Sequence, residues 1–271
     1  MAAPRPAARG LTAHIAQRFA LDNSRTMPGM TEEKLQRCYP HGDLENVFPD
    51  VFFLRGSIQM GRGVSVGRAM TIVRQEGDLT LFNAVRLNEP RLAKLDALGK
   101  VRHILRTGHH HGSDDAFYAD RYGCEIWALP GTKLDRGATI SHELSTTGAL
   151  PLNDAKLFVF EAAMTAGLPE AAVLLPGERL LITTDALQNW EHVENCSFLA
   201  SILVKVVFMG QAKPGPFWVK AVKRRGGTTL VDDYRRLLEL DFDNLLSGHG
   251  QPLLGGAREK ARASIERTFR A

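Results

Sequence analysis

The chain has 271 residues, 44% hydrophobic and 24% charged, with a formal net charge of +4. That is enough apolar material for a large core, while the positive balance is too small and too interleaved with acidic residues to mark a nucleic-acid partner. No apolar run approaches roughly 18 residues and the N-terminus lacks the apolar stretch of an export signal, so a soluble, cytoplasmic protein with no membrane partner is expected.

Residues 1–21 carry Arg5, Arg9 and Arg18 without an acidic residue, a faint likeness to an organellar presequence. The shortage of hydroxyl residues favours a mobile arm instead. Residues 1–45 are expected to form a partly flexible arm, and residues 46–271 one domain. From Val51 to Leu87, VFFLRGSIQM, RAMTIVR and LTLFNAVRL alternate like strands, with Gly61, Gly63, Gly67 and Gly77-Asp78 as turn signals, and predict an antiparallel meander. PRLAKLDALG then sets Leu92, Leu95 and Leu98 on one helical face between Pro90 and Gly99.

VRHILRT reads as a short strand, and GHHHGSDD as a polar turn opening a helix over AFYADRYG. CEIWALPG, DAKLFVFE, AAVLLPG and ERLLITTDAL read as further strands, the last ending in a carboxylate. The segment from Ser197 to Leu240 reads as helical throughout, a cover broken by Pro214, Pro216 and Gly226-Gly227. DFDNLLSGHG returns to a strand and polar loop, and AREKARASIERTFR closes the chain as an amphipathic helix. Both element types alternate, which predicts an α/β or α+β sandwich.

Polar clusters stand at three expected strand ends: Gly108 to Asp115, Thr183 to Asp185 and Ser247 to Gly250. Imidazole and carboxylate are the usual ligands of zinc, iron and manganese, and gathering them from separate strand ends gives a fixed, open-sided site. His109 and His111, one residue apart in an extended segment, would point the same way, with His110 facing elsewhere. Asp114 and Asp115 start the following helix. They could cap it, or they could act catalytically by orienting a water or moving a proton. The three cysteines, Cys38, Cys124 and Cys196, are far apart and odd in number, so they offer neither a disulfide framework nor a CxxC metal knuckle.

The succession of the meander, VRHILRTGHHHGSDD, LLITTDAL and LLSGHG over residues 50 to 260 resembles the metallo-β-lactamase superfamily. The resemblance implies an αββα sandwich, with the helical insertion near residues 197–240. The family's signature is His-x-His-x-Asp-His, then a further His, a bridging Asp and a final His. His109 and His111 match the first pair, Asp185 the bridging Asp, and His249 the final His. Ser113 stands where the family has Asp, Asp114 where it has the next His, Leu168 at the third His and Asn83 at the Asp after the meander. Glu161 and Glu170 are the only ionisable residues near Leu168. HGSDDAFY also resembles a divergent branch with a His-Gly-x-Asp-Asp-x-x-Tyr loop.

Losing two family ligands favours one metal over two. A mixed site of His109, His111, Asp185 and His249 would suit zinc, or iron or manganese. An ion there with an open position would turn water on an ester, thioester, lactone or phosphoester of a small molecule. The alternative is a non-catalytic ligand-binding or regulatory member that has lost full metal binding, with no cofactor at all. Trp127, Trp190, Trp218, Phe217 and Tyr118 are expected in the core, with Tyr118 beside the site. His103, His142 and His192 are expected to be structural or surface residues, and Lys220 to Arg225 a solvated helix face.

Overall fold

The computed structural model describes residues 37–61 and 63–270. Residues 51–82 fold as the expected meander: β2 (Val51–Gly61), β3 (Val64–Gln75) and β4 (Asp78–Phe82) pair antiparallel, and β1 (Glu45–Phe48) adds to the edge of β2. The helix α1 (Glu89–Leu98) starts where the side chain of Asn88 accepts the Arg91 N–H, with Pro90 in its first turn. It returns the chain so that β5 (Lys100–Arg106) lies parallel to β4. The helix α2 (Asp115–Tyr122) makes a second crossover to β6 (Glu125–Ala128), which β7 (His142–Glu143) extends. These strands form one seven-stranded sheet in chain order.

The second sheet contains β8 (Lys156–Val159), β9 (Ala171–Leu175), β10 (Leu180–Thr183), β13 (Asn244–Ser247) and β14 (Leu253–Leu254), in the order β14-β13-β10-β9-β8. Its companions are α3 (Glu161–Thr165), α5 (Pro216–Arg224), α6 (Leu230–Leu237) and α7 (Ala257–Phe269), whereas α4 (Phe198–Leu203) lies against β3 of the first sheet. β11 (Gln188–Trp190) and β12 (Gly210–Lys213) form a separate two-stranded ribbon.

The alternation of side chains along each strand sorts the core into layers. Val51, Phe53, Ala69, Val73, Phe82 and Leu105 of the first sheet meet Val173, Leu175, Leu180, Ile182 and Leu246 of the second. The opposite face of the first sheet, with Leu54, Met70, Ile72 and Leu81, packs on Leu92 and Leu95 of α1 and Tyr118 of α2. Leu174, Leu181 and Leu245 pack on Trp218, Val222, Tyr234, Leu237 and Ile265 of the helices behind the second sheet. Burial on both faces explains why VFFL and LLIT read as unbroken apolar runs. Each fully buried Leu, Ile or Phe contributes about 1.5–3 kcal/mol. The result is the expected αββα sandwich.

The 197–240 segment differs from its expectation in one respect, because strand β12 interrupts the helices. The helical run loosens into a π turn over Val204–Phe208 and stops at Gly210, whose φ of 142° and following Pro214 do not suit a helix. The Lys213 ammonium donates to the freed carbonyls of Val207 and Met209 at 2.6 and 3.4 Å, while the Asn189 side chain accepts the Ala212 N–H. Of the expected arm, residues 40–42 lie against β2: His41 bridges Gly56, and Ser57 Oγ donates to the Pro40 carbonyl. Residues 1–36 of that arm lie outside the described residues. Among the described residues no helix is long and apolar enough to cross a membrane.

Candidate metal centre

Three strands end at one rim of the sandwich. β10 and β13 run parallel with Thr183 opposite Ser247, so the turns carrying Asp185 and His249 leave the second sheet side by side. The Gly248 N–H donates to the Thr183 carbonyl at 3.0 Å and its carbonyl accepts the Ala69 N–H at 2.8 Å, which ties this turn to the first sheet as well. Gly250 follows at φ 87°, pressed against the Asn189 backbone where a Cβ has no room. From the other sheet, the segment after β5 is stitched across: Ala171 N–H donates to Thr107 at 2.7 Å and Gly108 bridges Glu170. The histidine loop therefore hangs between the two sheets.

Within this rim His111, Asp185 and His249 converge. Nε2 of His111 lies 3.0 Å from Nε2 of His249. Asp185 Oδ1 lies 3.3 Å from His249 Nε2 and 3.7 Å from His111 Nε2. Zinc–nitrogen bonds of about 2.0–2.1 Å in a tetrahedron place neighbouring ligand atoms roughly 3.3–3.4 Å apart, so the three separations bracket one coordination face.

The orientation of His249 is fixed from behind. Its Nδ1 donates to the Gly67 carbonyl at 2.8 Å and the ring stacks near Trp190 with centroids 5.9 Å apart. With Nδ1 committed to that carbonyl, Nε2 is the nitrogen presented to His111 and, in the neutral ring, carries the lone pair that a metal would take; this backing of a ring nitrogen by a carbonyl is the usual support of a histidine ligand. Burial pushes His111 down to about 4, against the pull of Asp185, so its imidazole is neutral near pH 7, the form that coordinates. Burial would raise the Asp185 carboxyl, but charge attraction to, and hydrogen bonds from, the His111 and His249 rings when they carry a proton outweigh it and hold Asp185 well below the usual carboxylate range. Gln188 Nε2 donates to Asp185 Oδ1 at 3.0 Å. Two imidazole nitrogens and a carboxylate oxygen, gathered within 4.8 Å of one another, fit one ion of the zinc, iron or manganese type.

His109 stands outside this group. The segment after Arg106 bends instead of extending, so residues one apart no longer share a face. The His109 ring meets the edge of His110 at 4.7 Å, its buried Nδ1 has no hydrogen-bond partner, and its carbonyl accepts Arg106 Nη2 at 2.7 Å.

Asp114 and Asp115 turn to arginines. Asp114 occupies the cap position of α2 without capping it; its carboxylate pairs with the buried Arg68 guanidinium and accepts the Arg86 N–H at 3.0 Å. Asp115 lies 3.5 Å from Arg106 Nη1, an ion pair in which neither carboxylate oxygen gains a hydrogen bond. Burial raises Asp115 to about 6 against the opposing pull of Arg106. Gly112 makes room for this pair, since a Cβ there would overlap the Arg106 guanidinium. Ser113 Oγ accepts Arg68 Nη1 at 3.0 Å, and Tyr118, fully buried, donates to the Val85 carbonyl at 2.7 Å.

The remaining family positions serve the frame. Asn83 donates to the Thr183 carbonyl at 3.1 Å and accepts Thr184 Oγ1 at 2.9 Å. Leu168 is buried in the core behind the second sheet. Glu161 is exposed at the start of α3, whereas Glu170 is wholly buried and accepts the N–H groups of Asp185 and Ala186. His103 and His142 both approach Glu125, and His192 meets Glu194 at the surface. Arg68 and Arg106 escaped the sequence reading. Neither stood out, because β3 and β5 carry other polar and charged residues, Arg74 and Gln75 in the one and Lys100, Arg102 and His103 in the other; only their burial shows that each needs a buried counter-charge.

No family model matches the sequence, and no curated protein matches it. Solved structures do match the fold. The metallo-β-lactamase FIM-1 from Pseudomonas aeruginosa in its mono-zinc form is 13% identical with a TM-score of 0.55, covering 86% of this chain and 98% of its own. A metallo-β-lactamase from Erythrobacter litoralis is 12% identical at TM-score 0.56, covering 88% of this chain and 100% of its own. VMB-1 is 11% identical at TM-score 0.59, covering 85% and 98%. The αββα sandwich is thus of the metallo-β-lactamase type.

Proposed function

We propose that the protein is a metal-dependent hydrolase with a mononuclear centre, in which His111, Asp185 and His249 hold one zinc ion, with iron or manganese as alternatives. The observation that carries this reading is the convergence of His249 Nε2, turned inward by the bond from Nδ1 to Gly67, on His111 Nε2 at 3.0 Å and Asp185 Oδ1 at 3.3 Å. The neighbours support it as a fold that accommodates a single zinc ion, by the form named for the Pseudomonas aeruginosa protein.

Held by His111, Asp185 and His249, a divalent cation would supply Lewis acidity and would bring the pKa of water toward neutrality. The protein's part would be to hold three ligands rigidly, the number of protein ligands usual in catalytic sites. Trp190 and the Gly67 carbonyl lock His249, and Gln188 steadies Asp185. Asp114 and Asp115, engaged with Arg68 and Arg106, are assigned to shaping the loop that carries His111. The reaction class is hydrolysis of an ester, thioester, lactone or phosphoester of a small molecule.

Metal analysis of protein purified without chelator tests the first step, with about one ion per chain expected. Loss of both the ion and esterase or phosphodiesterase activity in His111→Ala tests the second. A wild-type protein without stoichiometric zinc, iron or manganese overturns the reading. That result would favour a ligand-binding protein in which the 3.0 Å contact between the imidazoles is a hydrogen bond.

A further inference from the structure

We propose that Glu170 is a positioning residue for Asp185, acting through the backbone of the Asp185 turn; this rests on the metal-centre reading above. Glu170 is fully buried, and a single oxygen, Oε1, accepts the N–H of Asp185 at 2.7 Å and of Ala186 at 2.9 Å. Those two amides follow the end of β10, where no neighbouring strand is left to accept them. Buried N–H groups without an acceptor are strongly disfavoured, so the turn depends on this carboxyl group. The carbonyls of the same two residues are held too: Asp185 accepts the Gly215 N–H at 3.2 Å, and Ala186 accepts Tyr234 Oη at 2.5 Å. Every backbone polar group of residues 185 and 186 is therefore fixed, the two donors by Glu170 alone.

Glu170 is also anchored to the other side of the site. It bridges Gly108 at the start of the histidine loop, and its carbonyl accepts the Phe160 N–H at 3.0 Å. One residue thus couples the turn carrying Asp185 to the segment leading to His111. Because ligand geometry must be kept within about 0.5 Å for tight binding, release of these amides moves Oδ1 off the point on which the imidazoles converge.

The test is zinc affinity of the full-length chain, measured by competition with a chromophoric chelator. Glu170→Ala is expected to bind about 10- to 100-fold more weakly than wild type, the usual loss for an outer-shell partner. Glu170→Gln, which retains Oε1 as acceptor, is expected to stay within about threefold. Amide exchange of Asp185 and Ala186 should speed up in Glu170→Ala and not in Glu170→Gln. Leu79→Ala, a core truncation away from the rim, should lower the melting temperature without changing affinity, which separates positioning from general loosening. Should Glu170→Ala fail to fold, Glu170→Asp, which draws the carboxyl group back by one methylene, carries the same expectation of weaker binding. Wild-type affinity and unchanged exchange in these variants overturn the inference while leaving the metal centre intact. A wild-type protein that binds no zinc overturns both.

Discussion

The loop after β5 feeds two polar clusters of opposite character. His111 turns toward Asp185 and His249, so that three possible ligand atoms stand 3.0 to 3.7 Å apart, about the spacing of neighbours around one ion. A few residues on, Asp114 and Asp115 turn toward Arg68 and Arg106. The first cluster gathers electron donors and calls for a cation; the second carries its cations as side chains. The histidines and aspartates of one motif therefore do different jobs, and what decides between them is the charge each carboxylate or imidazole faces.

Four substitutions sharpen or break that contrast. The largest effect is expected from Arg68→Ala, which strands the buried Asp114 carboxylate and should cost about 3–5 kcal/mol in chemical denaturation. A cost near zero would mean that Asp114 is free for chemistry. Next, zinc at about a hundred times its dissociation constant should stabilise wild type by roughly 3 kcal/mol and leave His249→Ala unmoved; equal zinc stabilisation of both would place the ion elsewhere.

Asp115→Asn probes the second arginine pair through pH. A carboxyl raised to about 6 lends stability that is complete below its unfolded value of roughly 4 and is lost as pH rises through 6. Wild-type stability measured against Asp115→Asn should therefore fall by about 2–3 kcal/mol between pH 4 and pH 8. A flat difference would show that Arg106 already compensates the ionised form. The smallest effect is expected from Gly112→Ala, where the added methyl meets the Arg106 guanidinium and overpacking should cost about 1–3 kcal/mol. Zinc affinity that tracks this loss would tie the two clusters together.

Long elements were legible in the sequence because burial leaves a period. The meander, α1, β5 and the closing helix all follow from the spacing of apolar residues. The short strands were not: β11 reads QNW and β12 reads GQAK, too brief and too polar for any alternation to register. The strand ends that place His111, Asp185 and His249 were visible as polar residues closing apolar runs. The pairing of His109 with His111 assumed an extended loop, and the bend after Arg106 removes that assumption. Glu170 stood out only as an ionisable residue near Leu168. Its bonds run to backbone amides, and a sequence does not display which amides will lack a partner.

The three converging side chains lie far apart along the chain, His111 and His249 being separated by 138 positions, and they come from both sheets. Such a site cannot exist in a partly folded chain until very long loops have closed, a step whose entropy grows with loop length. Zinc should therefore find little to grip before the sheets dock, leaving the refolding rate nearly unchanged while slowing unfolding. The ion would act as a late clasp on a finished sandwich, lengthening the life of the native state without guiding its formation.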